Sequence, residues 1–187
     1  MNILWLQSAG CGGCTMSLLC AESPNVFDLF TAAGLEFLWH PSFSEASGAQ
    51  VRHLLASIEA GEQELDILCI EGSIVHGPKG TGRYHMLAGT GRSMLDWVQS
   101  LAPKAKHVVA VGTCATYGGV TSAGDNPSDA TGVQYEGRHS GAALPSHFRS
   151  RSGLPVINIS GCPIHPDWVT ETLMLLASDS LGADDLD

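Results

Sequence analysis

Four of the six cysteines in this 187-residue chain are placed where they could do chemistry. Cys11 and Cys14 form a Cys-x-x-Cys pair, while Cys114 and Cys162 follow singly and far downstream. Thiolates bind soft metal ions and iron–sulfur clusters, so the set supports three readings. A thioredoxin-like dithiol would sit after a strand and open a helix, but it leaves Cys114 and Cys162 unexplained. Structural zinc needs only four thiolates, yet zinc sites usually draw on compact paired knuckles rather than single, widely separated ligands. An iron–sulfur cluster is also held by four thiolates. Cys20, beside Leu18 and Leu19 in a helical pattern, and Cys69, inside an apolar run, read as core residues, where free cysteine behaves as a small hydrophobe.

Glycines crowd the same positions. Gly10, Gly12 and Gly13 surround the first pair, Gly112 precedes Cys114, and Gly161 precedes Cys162. Close approach of backbone to a bound cluster needs the dihedral freedom that glycine supplies. Thr15 is expected to cap the following helix and so turn its positive end toward the bound anion. Glu71 ends an apolar run and is followed by Gly72, which fits a helix cap or a solvated turn. The alternative is a partly buried acid beside the cysteines, in a position to relay protons. His76 and His165 fall in loops near this constellation and read as surface or hydrogen-bonding residues. Trp5, Trp39, Trp97 and Trp168 read as core or interface aromatics.

These residues must be positioned by strands and helices. Asn2–Gln7, Glu36–His40, Leu65–Ile70, Val108–Val111 and Val156–Ile159 read as strands. Thr15–Ala21, Asn25–Ala33, Gly48–Gly61, Ser93–Leu101 and Asp167–Ala177 read as helices. In the third of these, Val51, Leu54, Leu55 and Ile58 share one face. Residues 72–91 read as a long functional loop and 117–153 as largely irregular. Such alternation implies an α/β fold with a doubly wound parallel sheet. Cys11, Cys14, Glu71, Cys114 and Cys162 then each lie at or just past the carboxyl end of a strand. Those ends share one edge of an open α/β sheet, where ligands bind. Residues 1–178 are expected to form a single domain, and 179–187, with Asp179, Asp184, Asp185 and Asp187, a solvated acidic tail.

Composition excludes several classes of function. Nine basic against 19 acidic residues give a net charge of −10, which argues against nucleic-acid binding. Hydrophobic residues make up 44%, yet no stretch approaches the ~20 uninterrupted apolar residues of a spanning helix. No basic leader or twin-arginine pattern precedes the first strand, so a cytoplasmic location is the expectation. In that compartment the cysteines are not a disulfide framework.

The motifs resemble those of nickel–iron hydrogenase small subunits over nearly the whole length. The matching stretches are Gly10-Cys11-Gly12-Gly13-Cys14-Thr15, Ile70-Glu71-Gly72-Ser73-Ile74, Gly112-Thr113-Cys114-Ala115 with Gly118-Gly119, Asn126-Pro127, and Asn158-Ile159-Ser160-Gly161-Cys162-Pro163. The run from Trp5 to Leu19 looks most like the cytoplasmic hydrogen-sensing (regulatory) members and related uptake members. The resemblance implies a flavodoxin-like domain carrying one proximal 4Fe–4S cluster on Cys11, Cys14, Cys114 and Cys162. It implies that Glu71 takes part in proton movement. It also implies an obligate large-subunit partner that holds the nickel–iron centre and oxidises H2, so that this chain accepts electrons. A signalling kinase or an electron acceptor would lie downstream, and residues 72–91 and 115–130 would face the large subunit. An uptake or bidirectional enzyme subunit, or a non-hydrogenase electron-transfer subunit such as the related one of respiratory complex I, is the alternative. Met16 stands where many energy-converting members carry a glutamate, and Ile164 where many relatives carry a second proline. Typical small subunits continue into a second domain with further clusters, whereas this chain stops 25 residues after Cys162.

Overall fold

A computed structural model describes residues 1–186; Asp187, at the end of the acidic tail, lies outside the described residues. The chain runs β1 (Asn2–Gln7), α1 (Gly13–Leu18), α2 (Val26–Thr31), β2 (Glu36–Trp39), α3 (Ala49–Ala60), β3 (Ile67–Glu71) and β4 (Ile74–Val75). It continues with α4 (Met94–Leu101), β5 (His107–Val111), α5 (Gly112–Tyr117), β6 (Ala130–Thr131), β7 (Tyr135–Glu136), β8 (His139–Ser140), β9 (Ile157–Ile159) and α6 (Pro166–Ala177). The five long strands form one parallel sheet in the order β2-β1-β3-β5-β9, the doubly wound order of flavodoxin-like folds.

Alternation along the strands explains why both faces of the sheet are covered. Leu4 and Leu6, Leu68 and Ile70, and Val108 and Ala110 pack into the core shared with α3 and α4. Ile3 and Trp5, Ile67 and Cys69, and Val109 and Val111 point the other way, into the core under α1, α2 and α6. Strands buried on both sides read as continuous apolar runs, which is the pattern of 67–70 and 108–111.

Register then fixes the site. Gln7 pairs with Glu71, Glu71 with Val111, and Val111 with Ile159, so four strands end in one row. Just beyond that row, Ala9 and Ser73 exchange backbone hydrogen bonds of 3.1 and 2.8 Å. There Gly72, at φ +88°, lets the chains nearly touch, because an added Cβ would sit 2.9 Å from the Ala9 backbone.

Some elements differ from the sequence reading. The loop at 72–91 contains β4, which pairs antiparallel with β6, and β7 pairs with β8 inside 117–153. Two-residue strands are too short to show periodicity. In the acidic tail Asp179, Asp184 and Asp185 are exposed, Asp179 pairs with Lys106 at 2.6 Å, and Leu181 and Leu186 pack against the core.

His40, just after β2, is fully buried against Trp5 and stacks on Phe43 with ring centroids 3.9 Å apart. Its Nδ1 accepts the Ser42 N–H at 3.0 Å. Burial lowers its pKa to about 4, opposed by attraction to Glu71. Because the native value lies below the unfolded one of about 6.5, this contribution is full above pH 6.5 and is lost as pH falls toward 4. Urea unfolding of the chain is therefore expected to show stability declining across that window, by up to ~3 kcal/mol from this residue. The decline should shrink in His40→Phe.

Candidate metal centre

Cys11, Cys14, Cys114 and Cys162 line one cavity of about 90 Å³, together with Glu71, Gly72 and Thr113. They arrive from three of the strand ends in that row. Cys11 lies in the turn after β1 and Cys14 in the first turn of α1. Cys114 lies in α5, which starts directly at the end of β5, and Cys162 lies three residues past β9. The last two loops are tied together: the Thr113 N–H donates to Gly161 O at 2.9 Å, and the Gly161 N–H donates to Thr113 Oγ1 at 3.1 Å. Ser17 fastens α1 to the same loop by donating to Ile164 O at 2.7 Å.

Glycine is required by space as well as by dihedral. A Cβ on Gly13 would lie 3.1 Å from Cys11 Sγ, and one on Gly119 would lie 2.5 Å from Cys114 Sγ. A Cβ on Gly112, at φ +86°, would overlap Cys14 Sγ. Gly112→Ala is therefore expected to lower metal content as well as stability, the strain alone costing about 1–2 kcal/mol. Gly61→Ala is the control. Gly61 has a similar φ of +81° with nothing within 4 Å of its Cβ, so it should lose stability without losing metal. Metal analysis and thermal melts of the two variants separate the effects.

The donor set can be tested against what it would hold. A tetrahedral zinc ion with Zn–S bonds of about 2.3 Å needs sulfurs roughly 3.8 Å apart. Among the described residues, no group of three or more His, Cys, Asp or Glu is arranged to hold a single metal ion. Four cysteines lining one cavity supply the all-thiolate donor set that an iron–sulfur cluster uses. Burial pushes the Cys14 thiol up to about 11; a backbone hydrogen bond at Ile164 opposes this, while Glu71, Cys11 and Cys114 add to it. The unligated site thus favours the thiol, and ligation must release a proton.

Glu71 is buried, and its carboxylate is a hub. Oε1 accepts the Cys14 and Thr15 N–H groups, each at 3.1 Å. Oε2 accepts Trp5 Nε1 at 3.1 Å, Gln7 Nε2 at 3.3 Å and the Thr15 hydroxyl. It therefore does cap a helix, α1, but from a neighbouring strand. Thr15 is not the cap expected from sequence: it lies inside α1, Gly12 is the N-cap, and the hydroxyl turns to Glu71 instead. Trp5, Gln7 and His40 thus join Thr15 at the site, and of the four only Thr15 closes one of the cysteine motifs. The one available signal was register, which sets Gln7 opposite Glu71.

Other residues sort as follows. Cys69 is buried as expected, but Cys20 is exposed, because α1 ends at Leu18 and does not carry it into the core. His76 hydrogen-bonds Thr131 Oγ1 at 2.9 Å. Trp5 and Trp97 are buried, whereas Trp168 is exposed beside His165.

Residues 11–176 match the protein family described as NADH ubiquinone oxidoreductase, 20 Kd subunit. The F420 non-reducing hydrogenase II small subunit of Methanosarcina mazei is 31% identical over 92% of this chain and 47% of its own length. The periplasmic [NiFeSe] hydrogenase small subunit of Desulfomicrobium baculatum is 31% identical over 96% of this chain and 56% of its own. The chain thus spans about half the length of these curated relatives. Among solved structures, the actinobacterial-type NiFe-hydrogenase from Ralstonia eutropha H16 superposes with a TM-score of 0.77 at 30% identity, covering 98% of this chain and 54% of that one.

Proposed function

Because this chain belongs to the NADH ubiquinone oxidoreductase 20 Kd subunit family and is similar to hydrogenase small subunits, we propose that it is the electron-transfer small subunit of a nickel–iron hydrogenase. In this reading residues 1–178 carry one 4Fe–4S cluster on Cys11, Cys14, Cys114 and Cys162. A large subunit holds the nickel–iron centre and oxidises H2. The observation that carries the reading is the convergence of four thiols, from three strand ends, on one cavity. Bound there, such a cluster supplies one-electron transfer.

The chain's own residues do the rest. The cysteines release their protons and ligate, and Gly112 and Gly119 let backbone approach the sulfurs. Tyr84, Met86, Tyr117 and Val120 are exposed on residues 72–91 and 115–130, the face assigned to the large subunit. Charge reversal on that face should break the heterodimer. A stable heterodimer would count against the assignment.

At a finer level, the chain serves a cytoplasmic hydrogen sensor and passes hydrogen occupancy to a signalling partner such as a kinase. The two curated relatives favour a second reading, an uptake or bidirectional enzyme, since both are subunits of hydrogenases and one is periplasmic. The test is to co-purify the chain with its large subunit without oxygen, and to record electron paramagnetic resonance before and after H2. Reduction by H2 only when the large subunit is present supports the proposal. A loaded chain that H2 never reduces in the complex overturns it. Slow turnover with a kinase in the complex separates the sensor from the enzyme, and cell fractionation tests the location.

A further inference from the structure

We propose that the face built by α1, α2 and α6 docks an amphipathic helix of a second protein partner, one whose apolar side is flanked by lysine or arginine. The inference does not depend on what the cysteines hold. Charge is divided unevenly along the chain. Residues 52–151 contain all nine basic residues and nine of the 19 acidic ones, so that segment is formally neutral. The flanks, 1–51 and 152–187, contain the other ten acidic residues and no basic one, and so carry the whole net charge of −10. Those flanks fold into β1, α1, α2, β2, β9 and α6, and the three helices cover one side of the sheet. Glu22, Glu36 and Glu171 are exposed there and, among the described residues, pair with no basic side chain.

The exposed large apolar side chains fall into two groups. Tyr84, Met86, Tyr117 and Val120 belong to the segments assigned to the large subunit. Met16, Leu19, Phe27, Phe30, Trp168 and Leu175 lie on α1, α2 and α6 or directly after α1. Phe27 is 76% exposed, although Leu29 in the same short helix is fully buried. On α6, Trp168, Glu171 and Leu175 follow at i, i+3 and i+7, which is one stripe of a helix. Between α2 and α6 lies a groove of about 520 Å³, lined by Pro24, Ala32, Met174 and Leu175, with Asp28 and Glu171 beside them. An apolar patch rimmed by polar residues marks an interaction site.

Groove and charge together select the occupant. A hydrophobic groove takes an amphipathic helix through apolar anchors at i, i+3, i+4 and i+7. An acidic rim without a basic residue attracts lysine and arginine at the edges of that helix and steers its approach. A second copy of the chain would bring the same acidic flanks against each other. Anionic lipid, which attracts basic segments, is repelled by this face in the same way.

The experiment is a fluorescence anisotropy titration of the intact complex with its large subunit. The probe is a labelled synthetic helix with leucines on one face and lysines on the other, and the comparison peptide has glutamate in place of lysine. Phe27→Ser combined with Leu175→Ser should weaken binding of the lysine peptide about tenfold or more. Glu171→Lys should weaken it by a similar factor and reduce its dependence on salt. Glu62→Lys, the same charge change on an exposed residue just past α3, should leave it within about twofold. The altered side chains are exposed, so thermal melts should be unchanged. If the double variant does not fold, Glu171→Lys against Glu62→Lys decides. No binding of the lysine peptide, equal binding of the glutamate peptide, undiminished binding in the double variant, or equal loss in the two lysine variants overturns the inference. Release of the large subunit by Glu171→Lys would also overturn it, because the face would then belong to the heterodimer. So would self-association in sedimentation, or binding to phosphatidylglycerol vesicles, that the double variant abolishes, because the face would then belong to a second copy or to lipid.

Discussion

Serine in place of Cys114 or Cys162 is expected to leave a folded chain that retains about a tenth or less of its iron. Cys114 lies in α5 just past β5, Cys162 lies in the loop after β9, and neither belongs to the hydrophobic core, so the substitution removes a ligand and little else. Oxygen is a poorer donor than sulfur for iron in such a cluster. The neighbouring thiols then stay protonated, as burial already favours for Cys14. Cys20→Ser is the internal control, because Cys20 is exposed and does not line the cavity. Iron content and electron paramagnetic resonance of the three variants check this. Equal loss in all three would mean that the thiols act non-specifically.

Trp5→Ala should give the largest loss of stability. Trp5 is fully buried in β1, its ring packs on His40 and Phe37, and its Nε1 donates to Glu71. Truncating a buried tryptophan costs about 3–5 kcal/mol from lost burial and the cavity left behind. Here a buried carboxylate loses a donor as well. Of a total stability of roughly 5–15 kcal/mol, that is a large share. The midpoint of thermal unfolding is expected to fall by about 6–20 °C, since each kcal/mol moves a domain of this size by about 2–4 °C. Trp5→Phe should cost clearly less while still removing the bond to Glu71. A comparable fall for Phe and Ala would show that the hydrogen bond, not the volume, dominates.

The sheet and the convergence of the cysteines were legible because strands buried on both faces carry long apolar runs. Cys114 and Cys162 each lie three residues past such a strand, and Cys11 and Cys14 follow another, which is enough to place them on one edge once the strands are parallel. What was not legible depends on contacts between elements. Thr15 looked like a cap because a threonine beside a helix start usually is one. The cap comes instead from Glu71, 56 positions away in sequence. Cys20 looked buried because Leu18 and Leu19 flank it on the N-terminal side, but α1 is only six residues long and stops before it. His40 gave no signal at all, since its role arises from packing on Trp5 and from one bond to Ser42.

The most direct test is to purify the chain without oxygen and measure iron and acid-labile sulfide per chain, with zinc alongside. About four irons and about four sulfides per chain are expected for a single cluster on Cys11, Cys14, Cys114 and Cys162. One zinc per chain, or no metal bound under conditions where the chain is folded, would contradict it.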